Sequence, residues 1–221
     1  MSNAVKVFLL TFSALFPIVD PLTGSPIFLG LTSGYSPKTR RGLSWRVALA
    51  SFCLMVGSYL IGAHVLSFFG VSLPVVQVGG GLIVASVGWT MLLQKDQPRQ
   101  GASGPVQPQD DNDFHAAFYP LTLPLTVGPG SISVAITLGA NTAHRYGFHV
   151  SLVLAAVISM ALVAVSVFLC YAFADRLARL LGETAMNVVI RLSSFLLVCI
   201  GVQIMWNGIS ALLSSLPVHV H

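Results

Sequence analysis

Apolar runs of about 20 residues, long enough to cross a bilayer as helices, follow one another through most of this chain. Inside hydrocarbon every backbone N–H and C=O has to find a partner within the protein, which leaves only helices or closed barrels. The runs are too long for the alternating segments of about ten residues that build a barrel, so the expected fold class is all-α integral membrane. Composition agrees: 55% of the 221 residues are hydrophobic and 8% are charged, against about 25% charged in a soluble domain. The net charge of +4 is then a property of loops facing the cytoplasm, and no nucleic-acid partner is expected. The lipid bilayer is the first partner implied.

Six transmembrane helices are expected, at 4–34, 47–69, 74–93, 114–141, 149–174 and 188–213, the first interrupted around 16–25 and the fourth around 119–129. Residues 94–113, "QKDQPRQGASGPVQPQDDND", contain no apolar run and read as a flexible cytoplasmic linker between two membrane units, 1–93 and 114–221. Lys6 before the apolar run 7–16 resembles the start of a signal peptide. A Pro-rich stretch follows it in place of a small-residue cleavage site, so a retained first helix is expected. Lys38, Arg40, Arg41 and Arg46, then Lys95 and Arg99, then Arg176, Arg179 and Arg191 fall on one face, and only Lys6 and Arg145 on the other. That bias places the three basic loops in the cytoplasm and both termini outside, which is the periplasm in a bacterial inner membrane. Segments one and four read as single crossings with a break; re-entrant hairpins stay open as the alternative.

The two breaks are related. Pro17, Pro21 and Pro26 are spaced by four and five, and so are Pro120, Pro124 and Pro129, at a constant offset of 103. Each triplet opens a set of three helices. Three crossings is an odd number, so the second set enters from the opposite side, and the expected architecture is two inverted three-helix repeats. A proline lacks an N–H and clashes with the carbonyl four residues back, so among these helix-break prolines Pro17, Pro21, Pro120 and Pro124 free the carbonyls of Ser13, Pro17, Ala116 and Pro120. Ser25–Pro26 and Gly128–Pro129 read as an N-cap followed by proline at the first helical position. Each repeat would thus present free carbonyls, which attract cations, beside a helix N-terminus, which attracts anions. The candidate binding residues are Asp20, Thr23, Gly24 and Ser25 in the first break and Thr126, Gly128, Gly130 and Ser131 in the second.

Asp20 is the one acid of seven that lies inside a membrane segment. A carboxylate at that depth costs about 2.5–3.5 kcal/mol on insertion scales. Three roles are open to it: holding a substrate ammonium or a coupling cation, carrying a proton, or capping the break by accepting backbone N–H bonds. Leu123 occupies its place in the second repeat.

Other features carry less. Gly79, Gly80 and Gly81 would let helices approach closely. Gln77, Gln203 and Asn207 are expected to bond between helices, and Trp45, Trp89, Trp206, Tyr35 and Tyr119 include interface anchors. Cys53, Cys170 and Cys199 read as small buried hydrophobes without disulfide or metal spacing, so no metal site is expected. No catalytic residues are assigned: the chain has no G-x-S-x-G, H-E-x-x-H, Walker or dinucleotide motif, and no enzyme activity is expected.

"FPIVDPLTGSPIFLGLT", "FGVSLPVVQVGGGLIVASVG", "YPLTLPLTVGPGSISVAI" and "RLSSFLLVCIGVQIMWNGI" together resemble the MarC family of bacterial inner-membrane proteins. The likeness runs through nearly all of the chain except the central linker. It implies six helices, an amino-acid-like substrate and a grouping with LysE-type exporters. The chain departs from the family pattern at Gln77, where members often carry Arg, and at Ser194, where Gly is common. The position of Asp20 is often Asn or Asp, so its charge tunes coupling rather than the fold. The expected function is a secondary transporter, an exporter, of small neutral amino acids or related zwitterions working by alternating access. The rivals are a multidrug exporter of apolar cations, with Phe12, Phe16 and Phe28 around Asp20, and a non-transporting scaffold or regulator that binds partners through 94–113. No cofactor is expected beyond a coupling H+ or Na+, and lipid-facing surface on six short helices leaves room for a homo-oligomer.

Overall fold

The first break is one residue wide. In the computed structural model, which describes residues 2–32, 34–93, 121–123, 126–147 and 149–215, helix α1 (Asn3–Val19) ends at Asp20 and helix α2 (Pro21–Leu31) begins immediately after it. Together they form one apolar span, Asn3–Leu31. Pro17 lies inside α1 and Pro26 inside α2. This corrects the expectation of an extended stretch ending in a new helix at Ser25–Pro26. The physical reason is local. Pro21 suits the first position of a helix, where its missing N–H is not needed. At Pro26 the Ser25 hydroxyl donates to the Leu22 carbonyl at 3.0 Å, the acceptor left without an N–H by the proline four residues on.

Helix α3 (Pro37–Phe68) follows a short turn. Ser36 caps it, accepting from the Thr39 N–H at 3.2 Å, with Pro37 at the first position. Its 32 residues extend about 48 Å, well beyond a hydrocarbon core of about 30 Å. The excess lies at its start, where Lys38, Arg40, Arg41 and Arg46 are placed. Helix α4 (Leu73–Leu93) completes the first half. The linker 94–113 lies outside the described residues.

In the second half, helix α5 (Pro129–Tyr146) starts at Gly128, and helix α6 (Val150–Ala172) leads into helix α7 (Ala174–Ser214). Gly182, at φ 65°, bends α7 in two. The left-handed conformation there suits a residue without a Cβ. The part before the bend carries Asp175, Arg176 and Arg179, and the part after it is the apolar span Ala185–Ser214.

Five stretches of the described chain are long and apolar enough to cross a membrane: Asn3–Leu31, Pro37–Phe68, Leu73–Leu93, Val150–Ala172 and Ala185–Ser214. Helix α5 stands where the second part of the expected fourth segment falls, but it is less apolar than these five. Much of the break before it, including Pro120 and Pro124, lies outside the described residues.

The outward faces are apolar, with Leu10, Ile61, Phe68, Trp89, Ile158 and Trp206 all exposed, as lipid contact requires. Cys53 and Cys199 belong to this exposed surface rather than to the core, a correction that follows from a bilayer solvating apolar side chains as well as a core does.

The interior is held by close helix pairs. Helix α4 runs antiparallel along α7, with Gly81 opposite Gly201 and Met205, and Gly88 opposite Ser194 and Val198. Gln77, a buried residue, packs against Gly208 in the same seam. Gln203 and Asn207 bond to each other along α7 at 2.9 Å, on an exposed face, rather than between helices. The other main pairings are α3 with α5, α1 with α6, α3 with α6, α4 with α5 and α2 with both α6 and α7. Phe28, Leu15, Met55, Leu121, Met160 and Tyr171 are among the fully buried side chains.

Candidate functional site

Asp20 joins α1 to α2 by its backbone and its side chain together. Its φ of 42° and ψ of 64° are left-handed, and it is the sole described non-glycine residue with positive φ. Aspartate tolerates this conformation better than a branched or bulky residue does. Its N–H donates to the Phe16 carbonyl at 3.0 Å, closing α1. Its carbonyl accepts from the Gly24 N–H at 3.0 Å, and its Oδ1 accepts from the Thr23 N–H at 3.4 Å, opening α2. Of the three roles left open by the sequence, capping is the one this geometry displays.

Thr23, Gly24 and Ser25 follow in the first turns of α2, all buried. The Thr23 hydroxyl has no hydrogen-bond partner among the described residues, an arrangement that normally costs about 1–3 kcal/mol. Gly24 faces Tyr171 of α6 so closely that a Cβ placed on it would stand 2.5 Å from the tyrosine oxygen.

The second break is built differently. Residues 121–123 and Thr126 have wider, π-type turns, with the Val127 N–H bonded to the Thr122 carbonyl at 2.9 Å. Such turns leave carbonyls off the regular ladder and recur at functional positions. Thr126 Oγ1 donates to the Leu121 carbonyl at 2.8 Å and meets the Tyr171 hydroxyl at 3.0 Å. Gly128 caps α5 without a side chain, in extended geometry, and Pro129 occupies the first helical position, as the sequence implies. Gly130 faces Val84 of α4, and Ser131 is buried. Ser133, one turn on, donates to the Val76 carbonyl at 2.9 Å and so ties α5 to α4.

The structure therefore brings together part of the expected set. Gly24 from the first break and Thr126 from the second both meet Tyr171. Gly130 is turned towards α4 instead. Tyr171 is the residue that sequence reasoning missed. It is fully buried, stacks on Phe28 with ring centroids 4.6 Å apart, and lies within electrostatic range of Asp20. A tyrosine near the end of an apolar run looks like an interface anchor. The one available signal was glycine at position 24, where the first repeat needs room for a neighbour.

Comparison with known proteins agrees with a chain embedded in a membrane. Residues 5–213 match the model of the MarC family integral membrane protein. This chain belongs to the MarC family. It is 34% identical over 215 residues to the inner membrane protein MarC of Escherichia coli, covering 95% of this chain and 96% of that protein. The inner membrane protein MarC of Salmonella typhimurium and that of Citrobacter koseri are each 32% identical over 214 residues, with the same coverage. No solved structure matches the chain. As a family member with five long apolar spans, the chain is a multi-pass integral membrane protein.

Proposed function

We propose that this MarC-family chain is a secondary transporter that exports small neutral amino acids or related zwitterions across the bacterial inner membrane by alternating access. The observation that carries the proposal is the meeting of the two helix breaks on one buried tyrosine, with Gly24 on one side and Thr126 on the other. A break in lipid persists only where protein, water or ligand satisfies the backbone. Two breaks at one point, beside a buried threonine hydroxyl with no partner among the described residues, suit a small solute carrying both charges. Asp20 would face the ammonium group or a coupling H+ or Na+, and the N-terminus of α5 at Gly128 would face the carboxylate.

The helix pairings support two inverted repeats. At the offset of 103, exchanging the halves turns the α3–α5 contact into α6–α2 and the α4–α5 contact into α7–α2, and it maps α4–α7 and α3–α6 onto themselves. An inverted repeat of this kind can rock between two equivalent states.

Counterflow in proteoliposomes tests the proposal, with labelled alanine, glycine and serine and with Asp20→Asn beside the native protein. Accumulation above empty liposomes, with altered pH or Na+ dependence in the variant, is the expected result. Folded protein that moves none of the three removes the proposal. One observation favours a second reading. Phe8, Phe12 and Phe16 stack along α1 and Phe28 stacks on Tyr171, which would suit apolar cations. Inhibition of counterflow by tetraphenylphosphonium, and its own transport, would select that reading.

A further inference from the structure

An open cleft of about 990 Å³ lies away from the two breaks, between the first turns of α3 and the junction of α6 with α7. Lys38, Arg40, Arg41, Arg176 and Arg179 line it, and Asp175 is the one acid among the described lining residues. Arg40 is already engaged. It pairs with Asp175 at 2.6 Å and donates to the carbonyls of Thr32 at 3.2 Å and Tyr35 at 3.5 Å, which fixes the end of α2. Among the described residues the other four cations have no acid paired with them. Two of them are held in place by neutral groups: Arg179 Nε donates to the Asp175 carbonyl at 3.1 Å, and the Arg176 guanidinium lies over the Phe173 ring at 5.5 Å. The guanidinium nitrogens beyond those contacts stay available for an anion.

The cleft also has an apolar side, made by Leu29, Ala172 and Phe173. Helix α2 ends at Leu31 and α6 at Ala172, so the cleft lies where two apolar spans stop. That is the level of lipid headgroups. Trp45 follows Arg41 by one helical turn, is exposed, and packs edge-on against Phe168 of α6, as interface tryptophans do. The first turns of α3 and α7 add their helix-dipole charge to the same place.

We propose that this cleft binds the headgroup of an anionic phospholipid, with preference for one that carries two phosphates. Charge complementarity asks for a polyanion. The apolar wall at the end of the spans favours a lipid over a soluble phosphate compound. Basic pockets between membrane helices bind such headgroups, and each cation near the surface contributes about a fivefold gain in binding.

The test uses the full chain with Trp45 as its one tryptophan, made by Trp89→Phe and Trp206→Phe, in vesicles whose lipids carry brominated chains. Brominated diphosphatidylglycerol should quench Trp45 with a binding constant at least about tenfold above brominated phosphatidylcholine. Lys38→Gln with Arg41→Gln, and separately Arg176→Gln with Arg179→Gln, should each lower that preference by about fivefold or more. Arg145→Gln, at the other face, should leave it unchanged. Equal quenching by the two lipids overturns the proposal. So does an equal loss in Arg145→Gln, which would mean a diffuse surface potential. Loss of the preference on adding inorganic pyrophosphate would assign the cleft to a soluble phosphate compound instead. Native mass spectrometry of the unsubstituted protein gives the same reading where a variant fails to fold. Retention of diphosphatidylglycerol at detergent levels that strip phosphatidylcholine supports the proposal, and equal stripping refutes it.

Discussion

The Tyr171 hydroxyl lies 3.0 Å from Thr126 Oγ1 in the interior of the helix bundle, and Tyr171 is the donor. The direction follows from the threonine, whose single proton is directed at the Leu121 carbonyl at 2.8 Å. Tyr171 thereby connects α6 to the break before α5, while its ring rests on Phe28 and Gly24 of α2. Any displacement of α2 relative to that break has to give up one of these contacts. Tyr171→Phe keeps the stacking and the Thr126–Leu121 bond and removes only the bridge. It should lower stability in detergent by about 1 kcal/mol, read from thermal unfolding. A change in counterflow larger than that loss of folded protein explains would place the bridge in the transport cycle.

Gly24→Ala should be more costly than Tyr171→Phe. The new methyl would stand 2.5 Å from the tyrosine oxygen and 3.2 Å from Cε1, and a fully buried ring has little room to retreat. About 1–3 kcal/mol of destabilisation is expected. Removing the hydroxyl removes the nearest clash, so the double variant Gly24→Ala with Tyr171→Phe should lose less than the two single losses added together. Strict additivity in that cycle would show that the two residues are not in contact.

Ser25 and Pro26 form a second coupled pair. Ser25→Ala takes away the hydroxyl that satisfies the Leu22 carbonyl, and about 1–3 kcal/mol should be lost. Pro26→Ala supplies an N–H to the same carbonyl and should rescue Ser25→Ala. If the alanine at 26 brings no rescue, the hydroxyl is not replacing the missing backbone bond.

These pairs show what the sequence disclosed and what it withheld. The proline spacing located both breaks, and Gly128–Pro129 marked the start of α5. The same argument failed at Ser25–Pro26. A helix start and a mid-helix proline rescued by a neighbouring serine look alike in sequence; only the route of the Leu22 carbonyl tells them apart. Asp20 was visible as an acid in lipid, but its left-handed backbone was not, since aspartate serves many geometries. Tyr171 was hidden because its partners lie 147 and 45 positions away, as the numbering of Gly24 and Thr126 shows. Helix existence comes from local apolarity, whereas such a node comes from tertiary packing.

Asp20 variants should separate capping from binding. Asn retains tolerance of the left-handed conformation and an oxygen for the Thr23 N–H, and Gly relieves the backbone while losing a few tenths of a kcal/mol as a cap. Both should stay within about 0.5 kcal/mol of the native protein on thermal unfolding. Leu loses the cap and strains the backbone, for about 2 kcal/mol in all. Leucine is therefore the wrong probe of function on its own. Loss of counterflow in both Asn and Gly variants of native-like stability would assign the carboxylate to substrate or ion binding. Full counterflow in both would reduce Asp20 to a cap.

The three consecutive glycines of α4 should respond to alanine in three different ways, because they point in three directions. At Gly79 a Cβ meets nothing within 4 Å, so alanine should gain up to about 1 kcal/mol from helix propensity. At Gly80 it meets both the Oγ and the Cβ of Ser133; rotation moves only the Oγ, so α5 has to shift as well and a loss of about 1–3 kcal/mol is expected. At Gly81 it meets backbone, the Met205 nitrogen at 2.5 Å and the Gly201 carbonyl at 2.6 Å. No side chain there can yield, so α4 and α7 have to move apart along their length. The loss should reach about 3 kcal/mol, the upper range for overpacking. Membrane helices associate through such close backbone approach more than through a hydrophobic effect, which is why one methyl in this seam outweighs one in the Tyr171 bridge. Thermal unfolding of the three variants in one detergent orders them directly. Gly79→Ala standing well above Gly81→Ala supports the α4–α7 register, and a Gly81→Ala variant as stable as Gly79→Ala means that the two helices meet along different faces.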